Sequence, residues 1–241
     1  MAGYRSRPSA DEKGPRDLVT EFDRRSEALV GARLSAATPA IPIIGEELTG
    51  DDRHRRGLAW YVDPLDGTTN FVHGHPFFCV AIGLAADDAP LVGAVDAPAL
   101  GVAWSGEVGV GASRNAEPCR VSATAELGDA LVATGFPPVR DRAPADNFDA
   151  FVRVKRRARG VRRCGSAALD LCLVADGTYD GYWERRLHAW DTMAASAIAL
   201  GAGARITALD GGPPDYHVGH LVASNGHVHE ALVAAVAEAA R

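Results

Sequence analysis

The 241-residue chain is 47% hydrophobic and 23% charged, ordinary globular usage, and is long enough for one large domain or two small halves. Its net charge of -6 and pI near 5.7 exclude an overall basic surface of the kind that neutralises a nucleic-acid backbone. No apolar run approaches the roughly 18 residues that span a bilayer, and the opening MAGYRSRPSADEKG lacks a signal peptide's apolar stretch, so a cytoplasmic chain without membrane contact is expected.

In chain order, Asp17 and Thr20 are placed to cap a helix whose apolar residues, from Val19 to Leu34, fall at helical spacing and stop before Pro39. Two short strands follow, Ile41 to Ile44 and Leu58 to Val62, each running into carboxylates: Glu46-Glu47 after the first, Asp63 after the second. Segments 79–84 and 91–95, split by Asp87, Asp88 and Pro90, predict an antiparallel pair, with another strand near 102–104 and a hairpin at Gly106–Gly111. From Leu131 the pattern alternates. A strand to Thr134, a basic helix over 147–157, a small-residue helix over 166–175 and a strand around Tyr182 are expected. They are followed by a helix over 191–201, strands at 205–209 and 221–223, and a terminal helix from about His227. The first half (1–125) therefore reads as α+β and the second (126–241) as α/β, sharing layers in one domain. Cys79, Cys119, Cys164 and Cys172 show no CxxC spacing and are expected to be reduced thiols.

The chemistry concentrates in WYVDPLDGTTN, residues 60–70, where a strand delivers Asp63 and Asp66 into a Pro/Gly turn followed by hydroxyl residues. Two carboxylates so placed can share a hard divalent cation, with the Leu65 carbonyl as a further oxygen donor. Gly67 permits close backbone approach, and a helix beginning near Thr68 would turn free amides toward a phosphate. An Asp-Pro turn followed by Asp-Gly is also ordinary loop chemistry. Glu46 would reach the same point if the two strand ends lie side by side, although a Glu pair at a strand end is commonly a solvated edge. Asp191 opens a helix of small and apolar residues, where capping alone accounts for it.

Taken together, GEE at 45–47, DPLDGTTNF at 63–71 and WDTMAA at 190–195 resemble the inositol monophosphatase family. The likeness extends through DLVTEFD at 17–23, Gly165-Ser166-Ala167, GYWE at 181–184 and Gly211-Gly212. The resemblance implies a layered αβαβα sandwich of the sugar-phosphatase type, a single catalytic domain over 1–241, and hydrolysis of a small phosphate monoester, inositol 1-phosphate first. Relatives of the same architecture act instead on fructose bisphosphate, histidinol phosphate or adenosine bisphosphates, and some bind transcription machinery. Two or three Mg²⁺ per site are implied, held by Glu46, Asp63, the Leu65 carbonyl, Asp66 and Asp191, with Asp63 bridging two of them. Asp23 and Thr68 would orient the attacking water. Glu46, Leu65, Asp66, Gly67, Thr68, Gly165, Ser166, Ala167, Glu184 and Asp191 would contact the substrate. Lithium sensitivity and a homodimer are implied as well. The chain departs from the family in having only twelve residues before Lys13, which matches a basic position near the family's site, so the usual first helix is expected to be missing.

The remaining candidates have plainer readings. Glu184 beside Arg185 and Arg186 could form a surface ion pair, and His188 a helix cap. His227 and His229 are expected to be solvated, because residues two apart on a helix point apart. The run RVKRRARGVRR, 153–163, is expected to be a solvated face, with an acidic macromolecular partner as the alternative.

Overall fold

The computed structural model describes residues 1, 3–14, 17–47, 56–138 and 146–237. A hairpin of β1 (Asp11–Gly14) and β2 (Asp17–Val19) leads into α1 (Glu21–Ala37). That helix opens on a reciprocal cap, Thr20 Oγ1 accepting from the Phe22 amide and Asp23 accepting from the Thr20 amide. β3 (Ile43–Gly45) pairs in parallel with β4 (Leu58–Asp66), and α2 (Thr68–His73) follows directly. β5 (Cys79–Ala86), β6 (Ala89–Ala97), β7 (Val102–Glu107), β8 (Gly111–Arg114) and β9 (Glu117–Cys119) complete a seven-stranded sheet as an antiparallel meander.

The second sheet takes its strands from the second half: β10 (Leu131–Thr134), β11 (Gly160–Arg162), β12 (Gly181–Glu184), β13 (Arg205–Thr207) and β14 (Leu221–Ser224), in the order β11-β10-β12-β14-β13. Its helices are α3 (Phe148–Arg157), α4 (Ala167–Ala175), α5 (Ala189–Gly201) and α6 (His229–Ala237). α4 and α5 lie between the two sheets, α1 packs on β3 and β4, and α3 packs with α6 outside the second sheet. The layers are thus αβαβα. α4 and α5 are apolar on nearly every side because both faces are covered, which is why Leu169, Leu171, Met193 and Ile198 are fully buried.

Close approach of α5 to the first sheet depends on three glycines. A Cβ on Gly83 would stand 2.6 Å from the Ala194 amide nitrogen, and one on Gly106 would stand 2.7 Å from the Ile198 Cα. At Gly93 it would collide with the Ala194 carbonyl. Backbone rather than side chain blocks each position, so any larger residue would have to push the helix off the sheet.

Most predicted elements are present, with instructive differences. β4 does not end at Val62 but continues through a register shift to Asp66, which pairs with Cys79, so the two carboxylates lie on a bulged strand end. The β1–β2 hairpin was not expected from so polar a segment, and the first helix of the described residues is α1. None of their helices is long and apolar enough to cross a membrane. The four cysteines are free thiols. The basic run is only partly a solvated face: Arg153 donates to the carbonyls of Ala235 at 3.0 Å and Val236 at 2.9 Å, closing the end of α6.

His229 corrects a second expectation, since it is completely buried while His227 is exposed. His227 lies ahead of α6, so the helical-spacing argument does not apply to the pair. The surrounding bonds assign its tautomer. The Gly226 amide donates to Ser224 Oγ, leaving the Ser224 proton for His229 Nδ1, 2.9 Å away. Thr207 Oγ1 donates to the Ala208 carbonyl and so accepts from His229 Nε2, also 2.9 Å away. Burial, then the charge of Arg205, lowers the His229 pKa to about 4, against an opposing pull from Glu230. This folded value lies below the ordinary one near 6.5, so the unfolded chain binds the extra proton between the two. The stabilisation is complete above about pH 6.5 and is lost as pH falls toward 4. Urea unfolding across this range should show the slope, and His229→Gln should flatten it; an unchanged slope in the variant would assign the acid sensitivity elsewhere.

Candidate active site

The strand ends and helix starts of the two halves meet at a cavity of about 650 Å³. Glu46 reaches it from the end of β3, Asp63, Leu65 and Asp66 from the bulged end of β4, and Asp191 from the first turn of α5. Parallel pairing of β3 with β4 sets Gly45 opposite Val62, which brings Glu46 alongside Asp63 as the sequence suggested.

Each carboxylate is held by local bonds. Asp63 Oδ1 accepts from the Leu65 amide at 2.9 Å, fixing the Asp-Pro turn. Asp66 Oδ2 accepts from Ser166 Oγ at 2.6 Å and the Ala168 amide at 2.8 Å, so the start of α4 holds it. Asp191 Oδ2 accepts from the His188 amide at 2.8 Å; the capping reading therefore holds, and the residue lines the cavity as well. Lys13 lies 2.5 Å from Glu46 Oε1 and 2.7 Å from Glu47 Oε1, so this lysine is engaged rather than free in solvent.

The electrostatics are those of a buried acidic cluster whose cation, Lys13, bonds Glu46 and Glu47. Burial first, then the charges of Glu46, Asp66 and Asp191, raises the Asp63 pKa well above the carboxylate range. Asp191 is raised by burial and by Glu46 and Asp66. Glu46 is pushed up to about 7 by burial, with Lys13 pulling the other way, and Asp66 is raised by burial against its hydrogen bonds. Among the described residues no three such side chains close on one ion-sized point in this conformation, with Glu46 turned to Lys13 and Asp66 to α4. The donors nevertheless suit a hard divalent cation: carboxylate and carbonyl oxygens around one cavity, mutually repelling until a cation neutralises them.

Asp23 and Thr68 stand beside this cluster. Asp23 is buried, and its Oδ1 accepts from Thr68 Oγ1 at 2.9 Å across 45 residues of sequence. Asp23 is therefore not a surface residue of α1, and Thr68 is the first residue of α2, with Gly67 its cap. Gly67 has a φ of +90°, and a Cβ there would lie 2.9 Å from the Phe77 carbonyl, so the turn requires glycine.

The cavity is lined as well by Gly165, Ser166, Ala167 and Glu184. Glu184 is 8% exposed and accepts from the Tyr182 hydroxyl at 2.6 Å, which rules out a surface ion pair. Burial raises its pKa to about 7, with the Tyr182 bond and the charge of Arg163 opposing. His188 caps α5 and stacks on Trp190 at 4.5 Å. Four further residues contribute to the cavity in ways the sequence did not suggest. Asn70, inside the quoted motif, donates to the carbonyls of Phe77 at 2.6 Å and Cys164 at 2.9 Å, tying the α2 turn to the loop that carries Gly165. Arg163, Arg185 and Arg186 also line the cavity; the sequence had placed Arg163 in the solvated run 153–163 and the other two beside Glu184 in a surface ion pair.

Known proteins share this fold and much of the sequence. The inositol monophosphatase family model matches residues 2–241. An inositol-1-monophosphatase of Synechocystis is 40% identical over 92% of this chain and 77% of its own, and a Nus factor SuhB of Pseudomonas aeruginosa is 37% identical over 95% and 86%. The solved structure of an inositol monophosphatase from Anabaena superposes with a TM-score of 0.83 at 40% identity, covering 89% of this chain and 84% of that one. With motif, layer order and full-length similarity in agreement, the chain belongs to the inositol monophosphatase family, whose members are phosphoric monoester hydrolases.

Proposed function

We propose that this chain is a Mg²⁺-dependent phosphatase of small polyol and sugar phosphates, inositol 1-phosphate among them. The observation that supports this most is the convergence of Glu46, Asp63, Asp66 and Asp191 on one cavity, where each is destabilised by burial and several by one another. Like charges gathered this way stabilise nothing without a cation.

Glu46, Asp63, the Leu65 carbonyl, Asp66 and Asp191 would hold two or three Mg²⁺. Bound there, the metal supplies positive charge for the phosphoryl oxygens and acidifies water. The chain's own residues do the rest. Thr68 donates to Asp23, which leaves its oxygen lone pairs to accept from the attacking water and aim it. Backbone amides at Gly67 and Thr68 take phosphate oxygens, and Glu184 accepts a substrate hydroxyl, with Gly165, Ser166 and Ala167 along the ring. The similarity to SuhB supports a second reading, a regulatory protein that binds partners.

Phosphate release from inositol 1-phosphate, fructose 1,6-bisphosphate, histidinol phosphate and adenosine 3',5'-bisphosphate, with Mg²⁺ or chelator, separates the two. Release that chelation abolishes and millimolar lithium inhibits is expected. Silence on every substrate would move the assignment to the regulatory reading.

A further inference from the structure

Glu184 owes its place in the cavity to two residues of the chain leaving β10. β10 and β12 pair in parallel with Thr134 beside Trp183, so the next residue on each strand sets Gly135 against Glu184. Both line the cavity. A Cβ on Gly135 would collide with both carboxylate oxygens of Glu184, so the carboxylate lies directly on the Gly135 backbone. Tyr182, two residues back on the same face of β12, donates to Glu184 Oε2 at 2.6 Å and holds it there. The Gly135 backbone is itself fixed from behind. Asn147, 1% exposed, donates to the Gly135 carbonyl at 2.7 Å and to Thr134 Oγ1 at 2.8 Å, and accepts from the Trp183 indole at 2.8 Å. Both of its amide hydrogens and its oxygen are therefore used at the paired ends of β10 and β12. Thr134 Oγ1 in turn donates to the Trp183 carbonyl at 2.6 Å and joins the two strands once more. Asn147 stands at the cap position of α3, yet its side chain makes no capping bond there. Its φ of +72° is a left-handed conformation that asparagine adopts more readily than most residues, and that turn aims the amide at the strand ends.

We propose that Asn147 and Gly135 are positioning residues: Asn147 locks the Gly135 backbone into a floor for the Glu184 carboxylate, and this floor sets the preference for phosphate esters of hydroxyl-rich alcohols over esters whose alcohol carries no other hydroxyl. With Tyr182 on Oε2 and glycine beneath, the carboxylate is held in one orientation before substrate arrives, so accepting a hydroxyl costs no reordering of the side chain. The inference rests on the role given to Glu184 in the phosphatase reading above and names what that role depends on.

The test reads the ratio of kcat/KM for inositol 1-phosphate to that for phenyl phosphate, in Mg²⁺, in the wild type and in variants. Gly135→Ala has only the movable end of Glu184 to displace, so it keeps the fold. It should lower the ratio by about tenfold or more, the worth of one charge-assisted hydrogen bond, chiefly through a higher KM for inositol 1-phosphate. Asn147→Gly, which suits the left-handed backbone and removes all three bonds, should lower the ratio in the same direction. In a Glu184→Ala background the space above Gly135 is vacated, and Gly135→Ala should then change the ratio no further. An unchanged ratio in Gly135→Ala, or a loss just as large without Glu184, would overturn the positioning role while leaving the phosphatase assignment standing. No Mg²⁺-dependent release from either substrate by the wild type would overturn both.

Discussion

Asp191→Asn should lower kcat by at least about 10³-fold while leaving the metal-free protein as stable as the wild type, or more so. The two halves of this expectation have separate causes. Asparagine keeps an oxygen for the His188 amide, which Asp191 bonds at 2.8 Å, so the start of α5 stays capped. What disappears is one negative charge facing Glu46 and Asp66 in a buried site, and its removal relieves repulsion. On the proposed reading a metal ligand is lost at the same stroke, and an amide oxygen coordinates a hard cation far more weakly than a carboxylate. Thermal melts in chelator and phosphate release in Mg²⁺ measure the two effects independently. Turnover at the wild-type rate would remove Asp191 from the cation site. A melting point lowered by many degrees would make it chiefly a structural cap. Asp191→Ala gives the contrast, since it loses both the charge and the cap and should be less stable than the asparagine variant by about 1 kcal/mol.

How far the sequence carried this reading depends on the range of the interaction involved. Elements specified by their own residues were legible: α1 from Thr20 and its apolar spacing, β5 and β6 from the break at residues 87–90, α4 and α5 from unbroken small apolar runs. The site carboxylates were legible because they sit at element ends inside a family-like motif. Contacts that cross the chain were not. Nothing local marks Gly83, Gly93 and Gly106 as the surface on which Ala194 and Ile198 rest, since a glycine in a strand could equally mark a bulge. His229 lies between Thr207 and Ser224, residues distant in sequence or separated from it by a turn, and its spacing from His227 misled because only one of the two is helical. The β1–β2 hairpin has no apolar alternation to announce it, and Lys13 at its tip is placed by Glu46 and Glu47, more than thirty residues on. Arg163 looked like part of a solvated run, and Arg185 and Arg186 like surface partners of Glu184, because the cavity that gathers them is built from segments far apart in sequence.

Thr68→Val should reduce kcat by about 10²- to 10³-fold with KM near the wild-type value, the signature of a group that acts on the attacking water and not on substrate affinity. The Thr68 hydroxyl has one proton and two acceptors within reach, Asp23 Oδ1 at 2.9 Å and the Leu65 carbonyl at 3.0 Å. The anionic carboxylate is the stronger acceptor and takes that proton. With its proton so fixed, Thr68 can only accept from water, which orients the water's remaining hydrogen and lone pairs. Asp23→Asn should produce a similar loss by a different route. Asp23 Oδ2 also receives the Thr20 amide at 2.9 Å and the Thr20 hydroxyl at 2.5 Å, and an asparagine offers only one acceptor oxygen for these partners and Thr68 together. One bond must fail, so this variant should also lose about 1 kcal/mol of stability at the start of α1, which Thr68→Val retains. If the two residues act as one unit, the double variant will be no slower than the slower single variant. Effects that multiply would show that Asp23 and Thr68 contribute separately, and Thr68→Ser, which keeps the hydroxyl, should recover most of the rate if the hydrogen bond to Asp23 is what matters.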